Sequence, residues 1–88
     1  AFHSPVMKRS KPYIAWDTLT PEDIRGIIVH FKTQEAQYQW LFDLGETLWK
    51  NDIWLMKNRQ EFWAKMLPLR EAGAPIKSLV TAYRMSQA

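Results

Sequence analysis

The side chains of this chain that are able to carry out chemistry fit no catalytic or metal-binding motif. There are two histidines, His3 and His30, and no cysteine among the 88 residues, which excludes a zinc finger, a disulfide scaffold and a thiol nucleophile. His30 falls next to an apolar helical stripe and is expected to be a structural side chain rather than a ligand or a base. No phosphate-binding loop, GxSxG motif or HExxH motif is present.

The nine carboxylates also show no catalytic arrangement. Catalysis by paired carboxylates needs two of them facing each other in a cleft. Glu22 and Asp23 belong to a helix start, and Asp43 and Glu46 have the i, i+3 spacing of ordinary surface side chains. A small helical chain also offers little room for a pocket. We therefore predict a non-enzymatic protein with no cofactor, no metal and no small-molecule substrate.

The tryptophans are more informative, because five occur in 88 residues. Trp40, Trp49, Trp54 and Trp63 lie in a region of helical periodicity, at intervals of nine, five and nine residues. Nine residues turn a helix through about 900°, so no single apolar face can hold all four indoles. Apolar residues all round a helix indicate burial on several sides. A compact Trp-rich core and a subunit wedged among partner chains both fit the pattern, and the shortness of the chain favours the second.

The elements that must position these residues begin with an arm. Residues 1–16 hold two prolines and a basic cluster with little periodicity, which predicts an extended arm that docks on a partner. Residues 17–88 are expected to form a single helical domain. We expect basic side chains to contact acidic protein or RNA, and aromatic ones to act as interface anchors. The predicted partner-binding residues are Lys8, Arg9, Lys11, Tyr13, Trp16, Trp40, Trp49, Trp54 and Trp63.

The strongest signal of secondary structure is a helix start. Thr20 is suited to an N-cap, and Pro21 to the first helical position, where its missing N–H costs nothing. Asp23 stands where a capping box has its acid, and Leu19 and Ile24 occupy the positions of a hydrophobic staple. The sequence therefore predicts a helix that begins at Pro21.

Helical periodicity then continues to Met66, which leaves two alternatives. One is a single long, bent helix, and the other is a hairpin that breaks near residues 43–45 or at 51–52. The mean helix length of ~11–12 residues favours the break. Pro68 is expected to end or kink the second helix, and Pro75 to be the first residue of a short C-terminal helix. No segment has the pattern of a strand, so the predicted class is all-α.

The C-terminal segment resembles part of a known DNA-binding motif. Gly73 precedes an apolar helix with Ile76, Leu79 and Tyr83, and these residues resemble the lead-in, first helix and turn of a helix-turn-helix of the resolvase type. In that family a Tyr-Gly-apolar-Ser turn introduces the recognition helix. Here Arg84 stands at the position of the turn glycine, and the recognition helix would start near residue 88, so no base-reading residue carries over.

The net charge and the N-terminal residues bear on where in the cell the protein is expected to be. The net charge of +3 permits contact with RNA, DNA or an anionic membrane face without requiring it. No apolar run approaches the ~18–20 residues of a membrane span, so the chain is expected to lie beside a membrane at most. Ala1-Phe2-His3-Ser4-Pro5, followed by basic residues, resembles the mature end left after removal of a mitochondrial presequence. We therefore expect a mitochondrial location.

These observations predict a non-catalytic, supernumerary subunit of a large multi-protein assembly. The expected hosts are a respiratory-chain complex and the mitochondrial ribosome. The arm and the Trp-rich helices would bind several protein subunits, and contact with RNA is compatible with the charge. The alternative is a nucleic-acid-binding regulator that uses the helix-turn-helix-like C-terminal segment.

Overall fold

Three α-helices and no strand make up the part of the chain that this computed structural model describes, residues 11–87. Helix α1 spans Pro21–Asp43, α2 spans Lys50–Glu71 and α3 spans Ile76–Ser86. A single 3₁₀ turn, Thr47–Trp49, leads into α2. The predicted all-α class is therefore confirmed. Most of the predicted arm, including Lys8 and Arg9, lies outside the described residues.

Helix α1 begins where the local sequence predicts. Thr20 is the N-cap, and its Oγ1 accepts a hydrogen bond of 3.1 Å from the Asp23 amide. The Asp23 carboxylate in turn accepts one of 2.9 Å from the Thr20 amide, which completes a capping box. Leu19 and Ile24, the predicted staple, are both fully buried in the core. The first turn therefore satisfies its free amides with the predicted side chains.

The chain forms a hairpin rather than one long helix, and a glycine decides where it breaks. Gly45 holds φ at +103°, a left-handed conformation that residues with a side chain adopt at a cost. Its amide donates to the Phe42 carbonyl at 2.9 Å, and the Glu46 amide donates to Leu41 at 3.1 Å. This pair of bonds is a Schellman motif, which satisfies the last carbonyls of α1. Gly73, with φ +89°, ends α2 in the same way.

The structure excludes one of the two alternatives predicted for Pro68 and corrects the position predicted for Pro75. Pro68 does not end α2, which continues through it to Glu71. Pro68 and Ala64, four residues before it, are both exposed, so the carbonyl that loses its helical partner is near water. Pro75 is the N-cap of α3 rather than its first helical residue.

An aromatic cluster joins the arm and α3 to the α1–α2 hairpin. Trp63 of α2 is only 2% exposed and is its central member. The ring centroid of Trp16, from the arm, lies 6.1 Å from that of Trp63 and 5.4 Å from that of Tyr83 in α3. Tyr83 also lies 5.8 Å from Trp63. We call Trp16, Phe62, Trp63 and Tyr83 the aromatic cluster, and it is where arm, α2 and α3 meet.

Arg70 connects the ends of the helices through backbone carbonyls. Its guanidinium donates to Leu19 at 2.8 Å, to Thr18 at 3.2 Å and to Ala74 at 2.9 Å. These carbonyls belong to the turn before α1 and the turn after α2. Leu19 holds a φ of +32°, which is unusual for a residue with a branched side chain. Its complete burial and the bond from Arg70 are the contacts that hold it in this conformation.

The N-cap predicts a first test of the fold. We expect Thr20→Ala to lower the free energy of unfolding by about 1 kcal/mol, because the Asp23 amide loses its acceptor. Thr20→Ser keeps a hydroxyl and should retain most of the stability. Urea unfolding followed by circular dichroism measures both. Equal stability of Thr20→Ala and the wild type would contradict the role of this cap.

The Thr20–Asp23 capping box also predicts that the stability of the fold depends on pH. Hydrogen bonding by the Thr20 backbone amide, and then by the Thr20 and Thr18 side chains, holds the pKa of Asp23 below its usual 3.8. Since the folded-state pKa is lower than the unfolded one, the stabilisation is complete above the unfolded value and is lost as pH falls through the folded value. The stability difference between wild type and Asp23→Asn should therefore be constant near neutral pH and shrink in acid. A difference that does not change between neutral and strongly acidic pH would refute this.

Candidate interaction surface

The predicted partner-binding residues fall into different environments. Lys11 is exposed, and Tyr13 in the arm is 89% exposed. Trp16 is half-buried in the aromatic cluster, and Trp63 is buried at its centre. The structure therefore uses these two indoles to hold its own elements together. Partner binding by Lys8 and Arg9 concerns positions outside the described residues.

Trp49 is packed at the bend of the hairpin. Its ring stacks on Tyr38 of α1, with centroids 5.1 Å apart and planes 25° from parallel. Its indole N–H donates to a carboxylate oxygen of Glu46 at 2.8 Å. A half-buried indole with both its face and its N–H satisfied within the chain fixes the approach of α2 to α1. Trp49 thus has a structural role at the bend.

Trp40 and Trp54 remain available to partners. Trp40, on α1, is 58% exposed, and Trp54, on α2, is 64% exposed. Large exposed aromatics at such positions are unusual on a chain with no neighbour, and they are the side chains that most often anchor interfaces. Each belongs to a longer apolar surface that the spacing of tryptophans alone did not reveal.

The first surface is the outer stripe of α1. It consists of exposed, uncharged residues that recur at helical spacing on the side away from the core: Gly26, Val29, Thr33, Ala36, Gln37, Trp40 and Leu44. Glu22 lies in line with the stripe, one turn before Gly26, and the other charged residues of α1 lie to either side. An i, i+4, i+7, i+11 series without charge, from Val29 to Trp40, is a signal in the sequence that could have located this stripe.

The second surface is a groove along α2. Leu48 and Trp54 line a hollow next to the start of α2, together with Leu55. Trp54 and Leu55 also line a second hollow, which extends to Phe62 and to Tyr83 of α3. The two hollows therefore form one groove, which we call the α2 groove. Leu48 is 70% exposed, so the groove is open at the end near the hairpin bend.

The short length of α3 explains why the α2 groove is open. Helix α2 has 22 residues and α3 has 11, so α3 can run beside only half of α2. At 1.5 Å per residue, the uncovered part is about 16 Å long. The last residues of α3, including Ser86 and Gln87, line the groove at its inner end.

Charge is distributed unevenly between the two halves of the chain. Residues 11–49 hold three Lys/Arg and six Asp/Glu, whereas residues 50–87 hold seven Lys/Arg and three Asp/Glu. The half that forms α2 and α3 is thus net +4, and the half that forms α1 is net −3. The overall charge of +3 conceals this asymmetry. The charged side chains that line the two hollows of the α2 groove are one of each sign, Asp52 and Arg59.

The structure shows no arrangement of metal ligands and no membrane-crossing helix in the described part of the chain. No three His, Cys, Asp or Glu side chains of residues 11–87 are grouped so that they could hold a metal ion. Within the same residues, none of the helices is long and apolar enough to traverse a bilayer. His30 lies edge-on to the Phe31 ring, with centroids 5.5 Å apart.

The resemblance to a helix-turn-helix does not extend to the turn. The resolvase-type motif places a turn at the positions of Arg84, Met85 and Ser86, but α3 continues through Ser86 as regular helix. Comparison of the chain with protein-family models, curated proteins and solved structures gives no match. Function is therefore inferred from the geometry and chemistry of this chain's own residues.

Substitution of Trp63 and of Trp54 should affect stability differently, because the first indole is in the core and the second is on the surface. We expect Trp63→Ala to lower the free energy of unfolding by about 3–5 kcal/mol, because it leaves a cavity between the arm, α2 and α3. Trp54→Ala should change it by no more than about 0.5 kcal/mol, since that indole is exposed. Trp63→Phe keeps a ring and serves as the milder variant if Trp63→Ala does not fold. Similar losses for Trp63→Phe and Trp54→Ala would contradict the assigned environments.

Proposed function

We propose that this protein is a non-catalytic subunit of a multi-protein assembly and that its α2 groove binds an amphipathic helix of a partner chain. The observation that carries the proposal is the open groove, in which Leu48, Trp54, Leu55 and Phe62 lie among polar residues that include Asn51, Asp52, Asn58 and Arg59. Helix-in-groove recognition reads apolar residues on one face of the partner helix. The basic character of α2 and α3 favours a partner helix whose apolar face is flanked by acidic residues.

The outer stripe of α1 supports a role among several partners. It lies on a different helix from the α2 groove and contains its own exposed tryptophan, Trp40. A chain with two apolar surfaces on separate helices suits a position between neighbours better than a simple pairwise complex. A respiratory-chain complex and the mitochondrial ribosome remain the proposed hosts. The mitochondrial location and the roles of Lys8 and Arg9 stay predictions, which fractionation of cells and substitution of those residues would test.

The test combines a groove variant with a matched control. We expect the tagged protein, expressed at its native level, to purify in a stoichiometric complex from which Trp54→Ser reduces recovery strongly. A buried interface tryptophan is worth about 2 kcal/mol or more, which is about 30-fold in affinity. Leu69→Ser removes another exposed apolar side chain of α2, outside the groove, and should leave the complex intact. A photo-crosslinker at residue 54 should label one partner at an acidic, amphipathic helix, and one at residue 69 should not.

Three outcomes would contradict the proposal. The first is a native protein that elutes as a lone monomer. The second is equal loss of the complex in the Trp54→Ser and Leu69→Ser variants. The third is recovery with nucleic acid, with an affinity that falls steeply as salt rises. That last result would instead support the nucleic-acid-binding alternative. The melting temperature of each variant is measured alongside, so that loss of folding is not mistaken for loss of binding.

A further inference from the structure

A cavity lies where the arm and all three helices meet. Its volume is about 360 Å³, near the lower end of the ~300–1,000 Å³ that is typical of small-molecule sites. Among the described residues, Phe31 of α1, Trp63 of α2 and Tyr83 of α3 provide aromatic walls. Four residues line both this cavity and the inner hollow of the α2 groove, so the two adjoin each other: Arg59, Trp63, Tyr83 and Gln87. The cavity differs from that groove in being lined by the arm and by α1 as well as by α2 and α3.

Two cations line this cavity without a matching anion. They are Lys11 of the arm and Arg59 of α2, and no carboxylate of residues 11–87 lines the cavity with them. The ion pairs of the described residues involve Arg25, with Glu22 and Glu71, and neither Lys11 nor Arg59 takes part. Two cations facing one small space repel each other, and an anion between them removes that repulsion.

Arg59 is held in a way that leaves hydrogen-bonding capacity unused. Its guanidinium carbon lies 5.8 Å from the centre of the Phe31 ring, in a cation–π contact. Its Nε is buried and has no hydrogen-bond partner in the structure. A buried N–H without an acceptor is costly, and such groups are rare in folded proteins. A carboxylate is the acceptor that best matches the planar fork of a guanidinium.

The given residues next to Lys11 and to Gln87 contain no acidic side chain. Residues 1–10, which precede Lys11, contain Lys8 and Arg9 and no Asp or Glu. The end of α3, which contributes Gln87, also carries no acidic residue. A carboxylate from another molecule would supply the missing acceptor, and the aromatic walls favour an apolar, planar body attached to it.

We propose that this cavity binds a small organic carboxylate with a planar apolar body. The carboxylate pairs with Arg59 and Lys11, and the body packs between Trp63, Tyr83 and Phe31. The ligand is bound and not transformed, so the proposal goes beyond partner binding without making the protein an enzyme. Because the arm and three helices all line the cavity, an occupied cavity stabilises the folded chain by mass action.

The test uses 2-naphthoate as the probe on the full chain, with calorimetry and thermal unfolding as readouts. Its neutral isostere, 2-naphthamide, tests the charge, and acetate tests the apolar body. We expect 2-naphthoate to bind at least tenfold more tightly than either and to raise the melting temperature as its concentration increases. Failure of 2-naphthoate to bind at millimolar concentration, or equal binding of the acid and the amide, would overturn the proposal.

Variants locate the site. Arg59→Met removes the cation but keeps the length of the side chain, and we expect a loss of affinity of tenfold or more. Lys57→Met makes the same change at an exposed position of α2 that does not line the cavity, and its affinity should stay within twofold. Lys11→Met, in the arm, should weaken binding by a smaller factor and cannot disturb a helix. Equal affinities for Lys57→Met and both cavity variants would place the binding elsewhere and refute the assignment.

Discussion

The burial of Trp63 is the contact on which the rest of this structure depends. A hairpin of two helices buries one face of each, and the side of α2 that carries Trp63 would be open to water without further cover. Trp16 from the arm and Tyr83 from α3 pack against that indole and close the core. The arm and the third helix are thereby attached to the hairpin through rings rather than through close backbone contact. Arg70 reinforces the arrangement by joining the turn before α1 to the turn after α2.

This packing leaves several large apolar side chains exposed. Trp16, Trp49 and Trp63 pack within the 88-residue chain, whereas Trp40 and Trp54 remain exposed on two different helices. Because α3 is half as long as α2, the open groove is a direct geometric result of where the third helix ends. Exposure of an indole to water is unfavourable, and in the proposed role partner proteins would bury these two side chains.

Electrostatics distinguishes the two proposed sites from the remaining surface. Residues 11–49, which include α1, are net acidic, and residues 50–87, which form α2 and α3, are net basic. The cavity concentrates the basic character further, since Lys11 and Arg59 both line it without a described acid. A partner helix in the groove and a carboxylate in the cavity would both lie beside Arg59 and Tyr83, which line the two hollows. The two sites are therefore neighbours and differ in the size of what they accept.

The sequence by itself determined the local structure, because those signals act within a few residues. The Thr20 cap follows from hydrogen bonds that neighbouring residues specify. The break at Gly45 was one of the alternatives that the sequence left open, and the folded chain decided it. The assignment of each tryptophan was also decided by tertiary structure. Trp54 and Trp63 are nine residues apart on the same helix, and both are equally apolar, yet one is exposed and the other is buried. The difference is that the arm and α3 cross α2 at Trp63 and not at Trp54, and contacts between distant segments leave no periodic trace in the sequence. The cavity has the same origin, since its lining comes from four separate segments that only the folded chain brings together.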